Sequence, residues 1–446
     1  MIRNQIITDV IEEYLEEAAF LYEHRCNLYD NPEITWPELQ DFENRLEAHL
    51  DGLVLAETVG LEACRQRVRD NNPFDIFTAV CVFCRQRQKE MLLELLDQID
   101  LGDPACLAAV TDALKHEAPA QWQTDILDLL ASGHAGKCLV AAKVIGFQRL
   151  PAGEQLVQAI LKKDAMTRAA LAWALGRIGH AGARDLLYDQ LTRVDDEKAG
   201  INTTLALLRL GDSRSLDHCM AVLKGQPWPA LPLGLADGRS ALGPLRDLAG
   251  THPEGLIALG LLGDMNCVDF LIFQLENPDL AEFAALALNL ISGAELYEEI
   301  VVSEAAASDE EPPEEDARMR SSRTEEQHDA AATRTTLRRL SQSAGEWRGW
   351  CQEHLHEFDP QVRYRSGRPY SPAVLLESLT SGHSPPMVRH MACEELVIRY
   401  GLNVTFETDM YVEDQILALG RYKEAIAAAD GRFKAGCWYF AGHLLV

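Results

Sequence analysis

TRAALAWALGRIGHAGARDLL, residues 167–187, reads as an apolar helix ending in Ile-Gly, a short polar turn, and the opening of a second helix. Its apolar residues recur at three- and four-residue intervals, the spacing of one helix face. The unit returns in TLALLRLGDSRSLDHCMAVL (204–223) and LIALGLLGDMNCVDFLIFQL (256–275). Degenerate copies stand at LPLGLADGRSALGPLRDLAG (231–250) and AALALNLISGAELYEEI (284–300), and VAAKVIGFQRLPAGEQLVQAI (140–160) precedes them all. The turn glycines Gly179, Gly211, Gly263 and Gly293 are placed to stop each first helix by taking the left-handed conformation at little steric cost. Asp212 and Asp264, directly after two of them, are placed to cap the helix that follows. A single hairpin of about 30 residues cannot cover both of its apolar faces, so neighbours must stack. The fold class expected is all-α: an α-solenoid of helical hairpins with helical modules at both ends.

Working outward, the chain divides into an acidic N-terminal helical module (1–100), the repeats (101–302), an acidic linker (303–336) and a C-terminal helical module (337–446). The linker, SEAAASDEEPPEEDARMRSSRTEEQHDAAATRTT, has almost no large apolar residues and reads as disordered. The C-terminal module holds the aromatics Trp347, Trp350, Tyr364, Tyr370, Tyr400, Trp438, Tyr439 and Phe440, most of which such a small domain needs as core.

Thr167–Leu187 closely resembles the HEAT-like repeat of the phycobilin lyases, with Arg168, Leu175, Gly176, Ile178 and Gly179 at its signature positions. That signature is specific for the repeat and not for lyase activity, and most proteins that carry it are binding scaffolds. The flanks resemble a proteobacterial family with no assigned activity, which joins an acidic N-terminal module to HEAT-like repeats. Arg45, Leu46, Ala48, His49, Leu50, Asp51, Gly52 and Leu53 match its R-L-x-A-H-L-D-G-L motif, and RYRSGRPYSPAVLLESL with ACEELVIRYG (363–401) adds to the likeness. Some members are encoded near type VI secretion genes. The resemblance thus implies an adaptor, chaperone or immunity-like accessory role.

Composition narrows the partners. With 41 Lys+Arg against 69 Asp+Glu the net charge is -28, which disfavours nucleic acid and anionic membrane surfaces as ligands. The acidity is uneven: residues 1–62 carry a net of -12 and residues 303–329 a net of -7, so the N-terminal module is the first place to seek a basic protein partner, if there is one. No apolar run is long enough for a membrane span, and the acidic start is unlike a signal peptide. Eleven scattered cysteines indicate reduced thiols in a bacterial cytoplasm. Cys81 and Cys84 form a CxxC, but inside a helical pattern and without a second pair. It reads as two small apolar residues on a helix face.

No stretch matches a nucleotide-binding, hydrolase or metalloprotease motif, and neither a catalytic residue, a cofactor nor a metal is assigned. His49 and Asp51 read as a helix end broken by Gly52, with a catalytic pair as the lesser alternative. Glu12, Glu13, Glu16 and Glu17 lie on one helical turn and read as a solvated acidic face, with Glu13, Glu16 and Glu17 carried forward as partner-binding candidates. Trp173 is either an exposed anchor beside Arg177 or a residue packed on the next repeat. The basic-aromatic loop Arg363, Arg365, Arg368, Tyr370 is placed either to meet a carboxylate-bearing partner or to pair with the acidic N-terminal module. The function expected is a non-catalytic scaffold that holds another protein; the alternative is a lyase-type or protein-modifying enzyme using a groove of the repeats.

Overall fold

A computed structural model describes residues 2–31, 33–161, 164–194, 196–303 and 334–445 of the chain. Among these residues the structure is mostly helical, with 22 α-helices and a few short strands. Four helices begin it: α1 (Ile2–Tyr29), α2 (Leu39–Leu55), α3 (Glu57–Arg67) and α4 (Pro73–Arg85). Helical hairpins follow. α5 (Lys89–Gln98) leads to α6 (Pro104–Glu117), α7 (Gln123–Ala131) to α8 (Ala135–Gln148), and α9 (Gly153–Ile160) to α10 (Ala165–Ile178). α11 (Arg184–Leu191) leads to α12 (Glu197–Arg209), and α13 (Arg214–Val222) to α14 (Ala230–Ala236). The last two pairs are α15 (Leu242–Ala249) with α16 (Pro253–Leu262) and α17 (Val268–Gln274) with α18 (Ala281–Ser292).

The repeat glycines act as expected. Gly179, Gly211, Gly263 and Gly293 all have positive φ, between 59° and 75°, and the side chains of Asp212 and Asp264 accept the backbone N–H of Arg214 (3.1 Å) and Asn266 (3.0 Å). The even-numbered helices form one row, each from α4 to α18 packing on the next. A second set of glycines sets their spacing. A Cβ on Gly176 would stand 2.6 Å from Cα of Ala206, one on Gly234 2.7 Å from Cα of Ala258, and one on Gly260 2.8 Å from Cα of Ala287. Small residues facing small residues let the backbones approach closely, and the apolar core runs on without a break from Ile11 to Ile291. The boundary expected at residue 100 therefore has no counterpart in the core.

Two local expectations are corrected. Gly52 does not break a helix: α2 continues to Leu55, and the missing Cβ leaves room for the Tyr14 ring. The chain is also not helical throughout. β1 (Tyr297–Ser303) pairs antiparallel with β2 (Arg334–Leu340), from Tyr297 opposite Leu340 to Ser303 opposite Arg334. The β-branched runs Ile300-Val-Val and Thr335-Thr suit a pleated ladder better than a helix. β2 thereby crosses the expected linker boundary at 336; the rest of the expected disordered linker, 304–333, lies outside the described residues.

The C-terminal part consists of α19 (Ala344–His354), the two-residue strands β3 (Tyr364–Arg365) and β4 (Arg368–Pro369), α20 (Pro372–Thr380), α21 (Pro386–Tyr400), α22 (Val412–Ala428), and the strands β5 (Tyr439–Phe440) and β6 (His443–Leu444). It has a core of its own around Tyr370, Leu396, Tyr400, Phe406 and Tyr422. It also joins the row: Val388 and Met391 pack on Leu235, Leu261 and Leu290, and Trp347, Tyr364 and Trp438 enter the main core.

Gly234→Ala is expected to lower stability by about 1–2 kcal/mol despite its better helix propensity, because the new methyl meets backbone atoms of α16. Gly243→Ala, where nothing lies within 4 Å, should leave the urea midpoint unchanged or slightly raised.

Candidate functional site

Along one side of the row a basic side chain stands near the C-terminal end of four successive helices: Lys115 on α6, Arg149 just after α8, Arg177 on α10 and Arg209 on α12. A cation at that end is favoured by the helix dipole. All four meet carboxylates of the segment around α21. Lys115 Nζ lies 2.8 Å from Asp409, and Arg149 and Arg177 each reach Glu407 at 2.8 Å. Arg177 also pairs with Glu394, which accepts from Arg209 at 3.0 Å. Arg209 donates to Asn403 as well, at 3.3 Å.

The ladder continues at both ends through backbone groups. Arg25 on α1 pairs with Glu43 at 2.8 Å and donates to the carbonyl of Asp409 at 3.0 Å, while Glu43 accepts the N–H of Val412 at 2.7 Å. At the other end Arg399 donates to the carbonyl of Gly234 (3.0 Å), and the N–H groups of Ser366 and Gly367 donate to the carbonyls of Leu290 (2.8 Å) and Ile291 (2.9 Å). The C-terminal residues thus line this side of the row from α1 to α18.

This arrangement decides the sequence candidates. Arg363, Arg365 and Tyr370 are fully buried. Arg363 donates to the carbonyls of Leu261 (2.7 Å) and Leu262 (3.0 Å) and to Glu395 (3.0 Å), and its guanidinium lies 3.4 Å over the Tyr370 ring. Arg365 pairs with Glu395, and the Tyr370 hydroxyl donates to it at 2.6 Å. Arg363, Arg365 and Tyr370 therefore face inward, and the carboxylate they meet is Glu395 of α21 rather than one of the acidic N-terminal module. Arg368 is exposed and pairs with Glu377. Arg177 is buried in the ladder. Trp173 is half-buried against Gly146 of α8 and lies under Arg177 at 5.2 Å, so it packs on the neighbouring repeat rather than standing free.

Glu13 and Glu16 are exposed on α1 and Glu17 is half-buried; Arg67 approaches Glu12 and Glu16 at 3.5 and 3.7 Å, and Arg45 approaches Glu17 at 3.9 Å. His49 packs edge-on against Tyr14 while Asp51 binds Arg85 at 3.1 Å, so the two do not form a pair. Cys81 and Cys84 are buried in α4, and burial pushes both thiols up. Among the described residues no three His, Cys, Asp or Glu side chains are grouped to hold a metal, and no helix is long and apolar enough to cross a membrane.

A small cavity lies at the α1 end, between Tyr22, Arg25, Phe77, Asp112, His116, Asp409 and Tyr411, with space for about one water. His116 stacks on Tyr411 with centroids 4.2 Å apart. Burial, reinforced by Arg25, pushes its imidazole down to about 3, so it is neutral in the folded protein. Burial acts to raise Asp409 and Glu394, but Lys115 brings Asp409 down to about 2, and Arg177 with Arg209 hold Glu394 well below the usual carboxylate range.

Sequence reasoning missed Lys115, Arg149, Arg209, Glu394, Glu395, Glu407 and Asp409. The one signal for the cations was the return of a basic residue about every 30 residues at the ends of α6, α8, α10 and α12, in register with the repeat; nothing in the sequence marked the four carboxylates. No family model and no curated protein matches the chain.

Glu394→Gln removes the charge that Arg177 and Arg209 share, leaving Arg209 without a carboxylate and Arg177 with Glu407 alone, and is expected to cost about 3 kcal/mol, whereas Glu377→Gln, at an exposed pair, should cost below about 1 kcal/mol. Denaturant titration of both variants checks the contrast. Acid should act in two stages. His116 stabilises only while neutral, so its contribution is complete above its unfolded value near 6.5 and is withdrawn as pH falls toward 3. The low Asp409 and Glu394 add a loss from about pH 4 down through 2. His116→Phe should flatten the first stage of the stability profile and leave the second.

Proposed function

We propose that the chain is a non-catalytic protein-binding scaffold, an α-solenoid of HEAT-like hairpins whose inner side is filled by its own C-terminal module. The observation that carries this is the end-to-end ladder from Arg25 to Arg399. It supports a pre-organised body whose partner docks on the remaining faces, so little ordering entropy is lost on binding. The acidic face of α1 is the preferred docking place. Glu13 and Glu16 are exposed there, and Phe20, also on α1, is 53% exposed and stacked on His24. That chemistry suits a basic partner with an apolar contact residue. An adaptor, chaperone or immunity-like accessory role in a bacterial cytoplasm, linked to type VI secretion, follows from the family resemblance. An enzyme working in a groove on the ladder side would have to share it with the C-terminal residues.

Affinity capture from the source cell at low salt, read by mass spectrometry, is expected to recover a stoichiometric partner that is released as salt rises. The triple variant Glu13→Lys, Glu16→Lys, Phe20→Ala should lose it at least tenfold. A partner retained by that variant overturns the assignment to α1, and no specific partner at low salt counts against the scaffold.

A further inference from the structure

The row of helices ends at α1 and α2. α1 packs on α4, with Tyr22 stacked on Phe77, and α2 runs antiparallel beside it. Three contacts fix their register: His24 with Phe42 at 5.1 Å, Glu17 with Arg45 at 3.9 Å, and Tyr14 with His49 at 5.6 Å. Continued by one turn, that register brings Val10 level with Leu55.

The last layer of a helical stack is expected to turn a polar face outward. Here Phe20 is 53% exposed, Leu55 82% and Val10 38%. Helical periodicity puts Val10, Glu13 and Phe20 on the outward side of α1, and Asp41, Ala48 and Leu55 on that of α2. Apolar groups therefore stand at both ends of the α1–α2 groove, Phe20 at one and Val10 with Leu55 at the other. The small, exposed Ala48 leaves its middle open. Glu13, Glu17 and Asp41 border it, with Arg45 as the opposing cation, in a segment whose net charge is -12.

We infer that this groove takes an amphipathic basic helix of a partner protein, an inference that rests on the scaffold role proposed above. A groove between two antiparallel helices at the end of a stack has the shape of a further helical layer, and a single helix laid in it covers both apolar ends. Val10 and Phe20 stand about 15 Å apart along α1, roughly three turns. The matching helix therefore carries large apolar residues at i and i+11, about 16 Å apart on one face, with Lys or Arg on its flanks to meet Glu13, Glu17 and Asp41. A second copy of this chain does not fit, because two segments of net -12 would repel each other.

A fluorescein-labelled Lys- and Ala-rich helical peptide with leucines at i and i+11 is titrated with the full chain at low salt and followed by anisotropy. It is expected to bind about tenfold tighter than the same peptide with its second leucine moved by two residues. That move turns the leucine to the opposite face and costs one buried side chain. Leu55→Ser and Phe20→Ser should each weaken the first peptide roughly fivefold. Both should keep the wild-type urea midpoint, because both side chains are exposed. Equal binding of the two peptides, or unchanged binding by Leu55→Ser, overturns the proposal. Equal binding of the peptides beside a cellular partner that the triple α1 variant loses overturns the helix and leaves the scaffold standing. Discrimination between the peptides, lost in Leu55→Ser, upholds the groove even where capture from the cell recovers nothing.

Discussion

The ladder of ion pairs between the even helices and the segment around α21 is the constraint on which the rest of the molecule depends. Arg177 and Glu394 are both almost wholly buried, and taking such charges out of water costs several kcal/mol per ion. Their mutual attraction recovers this only if every rung finds its partner. Buried pairs of this kind are therefore poor sources of stability and good sources of register. Sliding the C-terminal module by one repeat would move Glu394 from between Arg177 and Arg209 and leave buried guanidinium groups unmatched. The apolar contact of Val388 and Met391 with Leu235, Leu261 and Leu290 has no comparable directionality.

The ladder also explains how an acidic chain organises its few cations. Of a net charge of -28, a net of -12 belongs to residues 1–62 and a net of -7 to residues 303–329. On the side facing the C-terminal module, by contrast, Lys115, Arg149, Arg177 and Arg209 are spent on internal partners. Acidity that remains exposed, such as that of Glu13 and Glu16, is the part of the charge free to meet another molecule. The buried loop Arg363-Tyr-Arg365 makes the same point from the other direction. A basic-aromatic motif in an acidic protein suggests a contact surface, yet Glu395 and the carbonyls of Leu261 and Leu262 supply its acceptors inside the fold.

The helical hairpins were legible because their signals are local. Gly179, Gly211, Gly263 and Gly293 act within their own turns, and Asp212 and Asp264 cap the residues beside them. The β1–β2 pair was not, since each strand is a short β-branched run whose partner is more than 30 residues away and leaves no periodicity within either. Gly52 misled for a related reason. Glycine near the end of a helical pattern usually marks a stop, but here it makes room for Tyr14, a residue 38 positions earlier.

By itself the sequence determined the elements, their repeat and the uneven charge, because helix periodicity, caps and turn glycines are properties of neighbouring residues. It also contained the basic residues at four successive repeat ends, without a sign of what they face. Only the tertiary structure decided that Lys115, Arg149, Arg177 and Arg209 meet Asp409, Glu407 and Glu394. Only it decided that Trp173 lies beneath Lys143 and Arg177 rather than in solvent. Pairings across roughly 200 to 300 residues depend on the pitch at which the hairpins stack. That pitch is set by close contacts such as Gly176 on Ala206, which no single stretch of the chain encodes.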